Sequence, residues 1–287
     1  MSSNDETKKL TDEERISKYK TEVKLATDES MADFVKECTS TEGWKVNSEK
    51  DICRVLISTT STSRNIALRV DCKDTFKDIP PDVIWEVITQ PEHFNEWDPS
   101  MIEYTVLAQL DPRTQVTYYS VEVPGPMKNR DWTLCRYESA DAAAGEYIAF
   151  SSTVELSLHP PVKKFIRANC LKTGFYVCRN KEGTGSDVTY YAHNDFCGTV
   201  PVVLVNLASK TIAPNVIKSL RVASKKLWDK KRGVGVSKEE EAEAEKSMAE
   251  LKKEMKEAEV ADPPKNEAAA AAEEEEGDGE QDGMYFM

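Results

Sequence analysis

The sequence predicts an α+β domain in which a curved antiparallel sheet grips its longest helix. Two observations predict it. Strand-like segments follow one another from Cys53 onward, separated by turns and interrupted by one short helix, an order that makes antiparallel rather than parallel sheet. After them comes Pro201 to Arg232, PVVLVNLASKTIAPNVIKSLRVASKKLWDKKR, the longest segment that reads as a single helix. Its apolar residues Ile212, Val216, Leu220, Ala223 and Leu227 recur at steps of four, four, three and four, one stripe that Ala213, Ile217 and Val222 widen. Pro201 suits a helix start, whereas Pro214 removes an interior bond and predicts a kink. At ~1.5 Å per residue the segment spans roughly 45 Å, enough to lie across a whole domain as a lid.

The elements follow in order. Residues 1–27 are polar and read as an extension outside the domain, although Thr11 and Glu14 have capping-box spacing for a short helix holding Ile16, Tyr19 and Val23. The domain is expected to span 28–232. It opens on an amphipathic helix with Met31, Phe34, Val35 and Cys38, after which Gly43-Trp44 turns the chain into strands at Cys53–Thr60 and Asn65–Cys72. Pro80-Pro81-Asp82 starts a second helix, VIWEVITQ, which Pro91 ends, and a loop or short helix PEHFNEWDPS follows. Strands are then expected at Met101–Leu110, Gln115–Val123, Trp132–Glu138, Tyr147–Leu156, Phe165–Arg179 and Val188–Phe196. Beyond Arg232 a charged helix capped by Ser237 and Glu240 is expected to about Val260. Ala, Glu and Gly runs of disordered composition complete the tail, 233–287.

The net charge of −13 belongs to that tail, which holds six Lys against eighteen Asp or Glu and leaves the first 232 residues near −1. A near-neutral folded part lacks the basic face that nucleic-acid binding requires. The seven cysteines form no CxxC pair and are odd in number, which fits reduced thiols of a cytoplasmic protein. The polar start is unlike a signal peptide, and no run of ~18 apolar residues exists to span a bilayer. His93, His159 and His193 are the only histidines, and none has metal-ligand spacing with a second ligand. No nucleophile elbow or Gly-rich phosphate loop occurs either. No metal, cofactor or enzymatic reaction is therefore expected.

Four stretches carry a resemblance. VTYYSVEVPGPMKNRDW (116–132), EHFNEWD (92–98), FIRANCLKTGFYV (165–177) and the helix with IAPNVIKSLRVASKKLWDKK occur in the order found in the START lipid-transfer family, in its phosphatidylcholine-carrier branch. The resemblance covers about 28–232. It implies a helix-grip fold, a lipid in the tunnel between sheet and C-terminal helix, transfer of that lipid between membranes, and transient contact with a membrane surface. An alternative use is a lipid-sensing adaptor whose acidic tail recruits a protein partner.

The resemblance also implies a head-group site, with one departure. In phosphatidylcholine carriers an arginine before the Trp-Asp pair meets the lipid phosphate. Here that position is Phe94, while Trp97 and the accompanying Asp98 are present. The positions that cage the choline ammonium by cation–π attraction fall on Tyr119, Trp132 and Leu171. Either another cation meets the phosphate, with Arg69 and Arg167 as candidates (Arg167 facing inward if Leu171 does), or the ligand is less charged than phosphatidylcholine or phosphatidylethanolamine. Aromatic core packing is the competing role for Trp97, Tyr119 and Trp132. A loop-holding network is the competing role for Asn129-Arg130-Asp131.

Overall fold

The computed structural model describes residues 10–50, 52–61, 65–123, 128–198 and 213–234, together with four helical positions in the charged segment beyond. Two helices open it, α1 (Asp12–Glu22) and α2 (Asp28–Thr39). Strands β1 (Trp44–Lys50), β2 (Cys53–Ser58) and β3 (Asn65–Phe76) follow, then α3 (Pro81–Thr89), a short 3₁₀ turn and α4 (Phe94–Trp97). The next strands are β4 (Met101–Asp111), β5 (Thr114–Val121), β6 (Arg130–Asp141) and β7 (Glu146–Thr153). The two-residue β8 (Ile166–Arg167), β9 (Asn169–Arg179), β10 (Ser186–Asp195) and α5 (Ala213–Arg232) complete it.

The strands form one sheet in the order β1-β2-β3-β10-β9-β7-β6-β5-β4, antiparallel throughout except for β8, which pairs parallel to β6. Because β3 lies three strands in from one edge and β4 lies at the other, the chain between them must cross the sheet. It does so as α3 and α4, which share one face with α5.

Period-two alternation assigns each strand's side chains to the two faces. Leu68, Val70 and Cys72 of β3, Phe175 and Val177 of β9, and Val188 and Ala192 of β10 meet Ile217, Leu220 and Ala223 of α5 and Val83, Ile84 and Val87 of α3. On the outer face Cys135, Tyr137, Ile148, Phe150 and Tyr191 meet Met31, Phe34 and Cys38 of α2. The stripe of α5 runs through Ile217 and Leu220, both fully buried, with Val216 half-buried at its flank. Ile212 and the remainder of the expected helix from Pro201 lie outside the described residues, as does most of the acidic tail. Pro214 stands in the first described turn.

Residues 12–22 belong to the fold, contrary to the expectation of an outlying extension. The Thr11–Glu14 capping box forms as its spacing predicts. What the local sequence did not reveal is the partner: Tyr19 is 1% exposed, packed among Ala108, Leu110, Val116, Leu156 and Leu158 on the outer face. Its hydroxyl shares a hydrogen bond of 2.8 Å with Nε2 of His159. Burial, reinforced by Arg167 and Arg15, holds the His159 pKa below its ordinary 6.5. A lowered histidine pKa stabilises the folded state above the unfolded value and loses that contribution as pH falls through the folded one. Docking of α1 should therefore weaken below about pH 6.5, where the undocked ring takes its proton first. Amide exchange in α1 should accelerate on acidification while α5 stays protected, and His159→Gln should flatten the effect.

The close approach of β9 to β7 rests on Gly174. A Cβ there would fall 2.1 Å from the Ala149 carbonyl oxygen and 2.5 Å from Phe150 Cα, a clash with backbone that cannot rotate away. Gly174→Ala should cost about 2–3 kcal/mol in a denaturant titration.

Candidate functional site

The inner face carries two apolar clusters that share only Phe196 at their border. One is the α3–α5 core described above. The other gathers Val121, Trp132, Leu134, Ala168 and Cys170, with Tyr119, Val123 and Phe196 against it. Between the clusters stand Trp97 and Asp98 at the end of α4, Tyr119 of β5 and Tyr190 of β10, all with part of their surface open although α4 and the sheet cover them. Partial exposure in such surroundings marks residues that border an internal space.

Each of these side chains has an identifiable support. Asp98 caps α4, its backbone N–H donating to the Phe94 carbonyl at 2.9 Å. Its carboxylate accepts from Ser100 Oγ at 2.7 Å and from the Tyr119 hydroxyl. Trp97 Nε1 donates to the Val87 carbonyl at 3.1 Å, and its ring meets Phe175 edge-on at 5.6 Å. Tyr119 lies opposite Trp132 across β5 and β6, with ring centroids 5.7 Å apart. Trp132 in turn meets Phe196 at 6.3 Å and is 5% exposed, yet its indole N–H has no acceptor.

Electrostatically this is a site with an acid and, among the described residues, no cation paired with it. Burial raises the Asp98 carboxyl above its ordinary 3.8, against the pull of the Tyr119 and Ser100 hydrogen bonds. Burial also raises the Tyr119 and Tyr190 phenols, and the Asp98 charge adds to both. Among the described residues no lysine or arginine pairs with Asp98. Phe94 packs in an aromatic cluster, 4.7 Å from Tyr104 and 5.8 Å from Trp97, and is 4% exposed.

Neither arginine considered from sequence faces this space. Arg69 lies on the outer face of β3, over the Trp44 ring, paired with Asp71 at 3.0 Å and donating to the Ser40 carbonyl. Arg167 makes a two-pronged pair with Asp131, at 3.0 and 2.9 Å, and donates to the His159 carbonyl. Asp131 alternates with Trp132, so this pair lies on the sheet face opposite the indole. The parity argument from Leu171 fails at a bulge. His193 pairs with Lys172 and Asn194 with Cys170, which makes Leu171 the extra residue. Cys170 takes the inward place and Leu171 is 39% exposed.

Two inward arginines of β6, not considered from sequence as cations for the site, are both engaged. Arg130 is 1% exposed and donates to the carbonyls of Phe196, Cys197 and Lys128, tying down the loop after β10. Arg136 pairs with Glu138 at 2.6 Å and donates to the Ile88 carbonyl at the end of α3. Arg130 and Asp131 thus fasten loops, the role weighed for that motif as the alternative to binding. Among the described residues no group of His, Cys, Asp or Glu is arranged to hold a metal, and no helix is long and apolar enough to cross a membrane.

A helix laid over an antiparallel sheet, with aromatic rings and one carboxylate between them, defines a helix-grip protein. The START domain family matches residues 25–229, and the chain belongs to that family. It is 28% identical to mouse START domain-containing protein 10 over 201 residues, 69% of this chain and 67% of the relative. It is 28% identical to the human protein over 214 residues, 73% and 71% of the two chains. The crystal structure of human START domain-containing protein 10 superposes with a TM-score of 0.64 at 27% identity, covering 73% of this chain and 85% of the other. Human StAR-related lipid transfer protein 5 shares the fold at TM-score 0.58 and 17% identity, over 70% of this chain and 95% of the other.

Proposed function

We propose that this protein binds a lipid between the sheet and α5 and carries it between membranes, without making or breaking bonds. The observation that supports this reading best is the group of polar side chains, Asp98, Tyr119 and Tyr190, partly open between two apolar clusters of the inner face that share only Phe196, with the unpartnered Trp132 indole beside it. Such a space offers apolar walls for acyl chains and a few polar groups for one head. Two chains of about 30 methylenes at ~0.8 kcal/mol each oppose escape into water by on the order of 20 kcal/mol, and an enclosed carrier removes most of that exposure.

The head group is the finer part of the proposal. A buried phosphate without a cation costs several kcal/mol, and among the described residues the nearby arginines Arg69, Arg130, Arg136 and Arg167 are all engaged elsewhere. The groups on offer are an acceptor (Asp98), a phenol (Tyr190) and an indole N–H without a partner (Trp132). They suit a head that donates a hydroxyl hydrogen and accepts at a carbonyl, in the manner of a diacylglycerol or ceramide, better than phosphatidylcholine or phosphatidylethanolamine. The test is transfer of labelled lipids between donor and acceptor vesicles. The protein should accelerate transfer of the uncharged lipid above that of phosphatidylcholine. Equal, unaccelerated rates for both would remove the carrier reading.

A further inference from the structure

The basic end of α5 is the obvious place to look for membrane contact, and its charges are mostly spent. Lys226 pairs with Glu96 at 3.1 Å and Lys231 with Glu86 at 2.6 Å, while Lys225 and Arg232 both pair with the buried Asp229. These contacts clamp α5 to α3 and α4. The unspent charge lies elsewhere, on the turn Pro160–Phe165 between β7 and β8.

That turn is fixed at both ends and open at its tip. The His159 carbonyl accepts from Arg167 at 3.1 Å, and the Ile166 N–H donates to the Asn129 carbonyl at 2.9 Å. The Phe165 N–H closes the turn on the Val162 carbonyl at 3.1 Å, and two prolines stiffen the approach. Held there are Val162, 47% exposed, and Lys163 and Lys164, both exposed; Lys164 lies 5.0 Å from the Phe165 ring. Among the described residues, neither Lys163 nor Lys164, nor the exposed Lys128, pairs with a carboxylate. The turn adjoins the end of the inner face that Phe196 closes. Ile166 pairs with Arg130, which holds the Phe196 and Cys197 carbonyls.

We propose that the Val162–Phe165 turn is the surface on which the protein docks to a bilayer carrying anionic phospholipid. Val162 enters among the acyl chains, and Lys163 and Lys164 meet the negative head groups. An exposed aliphatic residue beside unpaired ammonium groups on a rigid tip matches the two attractions a bilayer offers, burial of apolar surface and a negative surface potential. The proposal rests on the carrier reading, because it places the docking turn beside the end of the lipid space.

The test is co-sedimentation of the full-length protein with phosphatidylcholine vesicles prepared with and without phosphatidylserine. The protein should prefer the anionic vesicles and lose the preference as salt rises. Lys163→Glu/Lys164→Glu should lower partitioning into them roughly 30-fold or more, and Val162→Ser, which changes no charge, should lower it independently of salt. Lys230→Glu/Lys231→Glu at the end of α5 should have the smaller effect. Undiminished binding by the turn variants, or a larger loss from the α5 variant, would overturn the proposal. Lipid carried by the same samples is read separately by mass spectrometry. Vesicle binding that depends on the turn without any carried lipid would sink the carrier reading and leave the docking surface standing.

Discussion

Asp131→Ala should destabilise the protein by about 3–5 kcal/mol, among the largest effects expected from one side chain here. Asp131 is fully buried and accepts two hydrogen bonds from Arg167 and a third from the Tyr118 hydroxyl at 3.3 Å. Removing the carboxylate leaves a guanidinium that is only 17% exposed with its Nε and Nη2 donors unpaired, while Nη1 keeps the His159 carbonyl. Partial hydration of Arg167 places the cost toward the lower end of that range, and the melting temperature should fall by roughly 10 °C. Asp131→Asn keeps the shape and one acceptor and should cost about half as much. Because the pair lies on the sheet face away from Trp132, whatever fraction of either variant is folded should bind lipid as the parent does. A loss of binding without loss of stability would place Asp131 in the ligand site instead.

Phe94→Arg should raise phosphatidylcholine binding about tenfold or more, the worth of one charge-assisted contact to a buried phosphate. The Asp98 N–H reaches back to the Phe94 carbonyl, so the two side chains lie one helical turn apart on the same side of α4. An arginine at 94 would thus have Asp98 as its partner and the lipid phosphate as its target. The substitution also removes the ring packed on Tyr104 and Trp97, at a cost of about 1–3 kcal/mol. Phe94→Met separates the two effects, since it loosens the cluster without adding charge and should leave phosphatidylcholine binding low. A folded arginine variant that gains nothing over the methionine variant would contradict the assignment of position 94 as the head-group switch.

Much of the architecture was legible because it follows from local pattern. The period-two strands, the capping box at Thr11 and the α5 stripe through Leu220 all depend on neighbours within a few residues. Opposition of Tyr119 and Trp132 follows from a regular β5–β6 ladder, where counting residues is enough. Counting failed at Leu171 because one bulge in β9 reverses the parity upstream of it, and nothing in FIRANCLKTGFYV announces that bulge. Arg167 was misplaced for the same reason. Tyr19 looked peripheral because its partners, from Ala108 to His159, are distant in sequence. The emptiness of charge around Asp98 was half legible. Phe94 could be read directly, but the engagement of Arg69, Arg130, Arg136 and Arg167 is a tertiary fact.

The most direct measurement is native mass spectrometry of the full-length protein purified from a lipid-replete host, followed by extraction and identification of whatever it carries. One uncharged lipid per chain, with hydroxyl and carbonyl groups in its head, is the result expected from a cation-free site built on Asp98, Tyr190 and Trp132. Stoichiometric phosphatidylcholine or phosphatidylethanolamine would contradict the head-group assignment. A chain that stays empty after incubation with mixed liposomes would contradict the carrier itself.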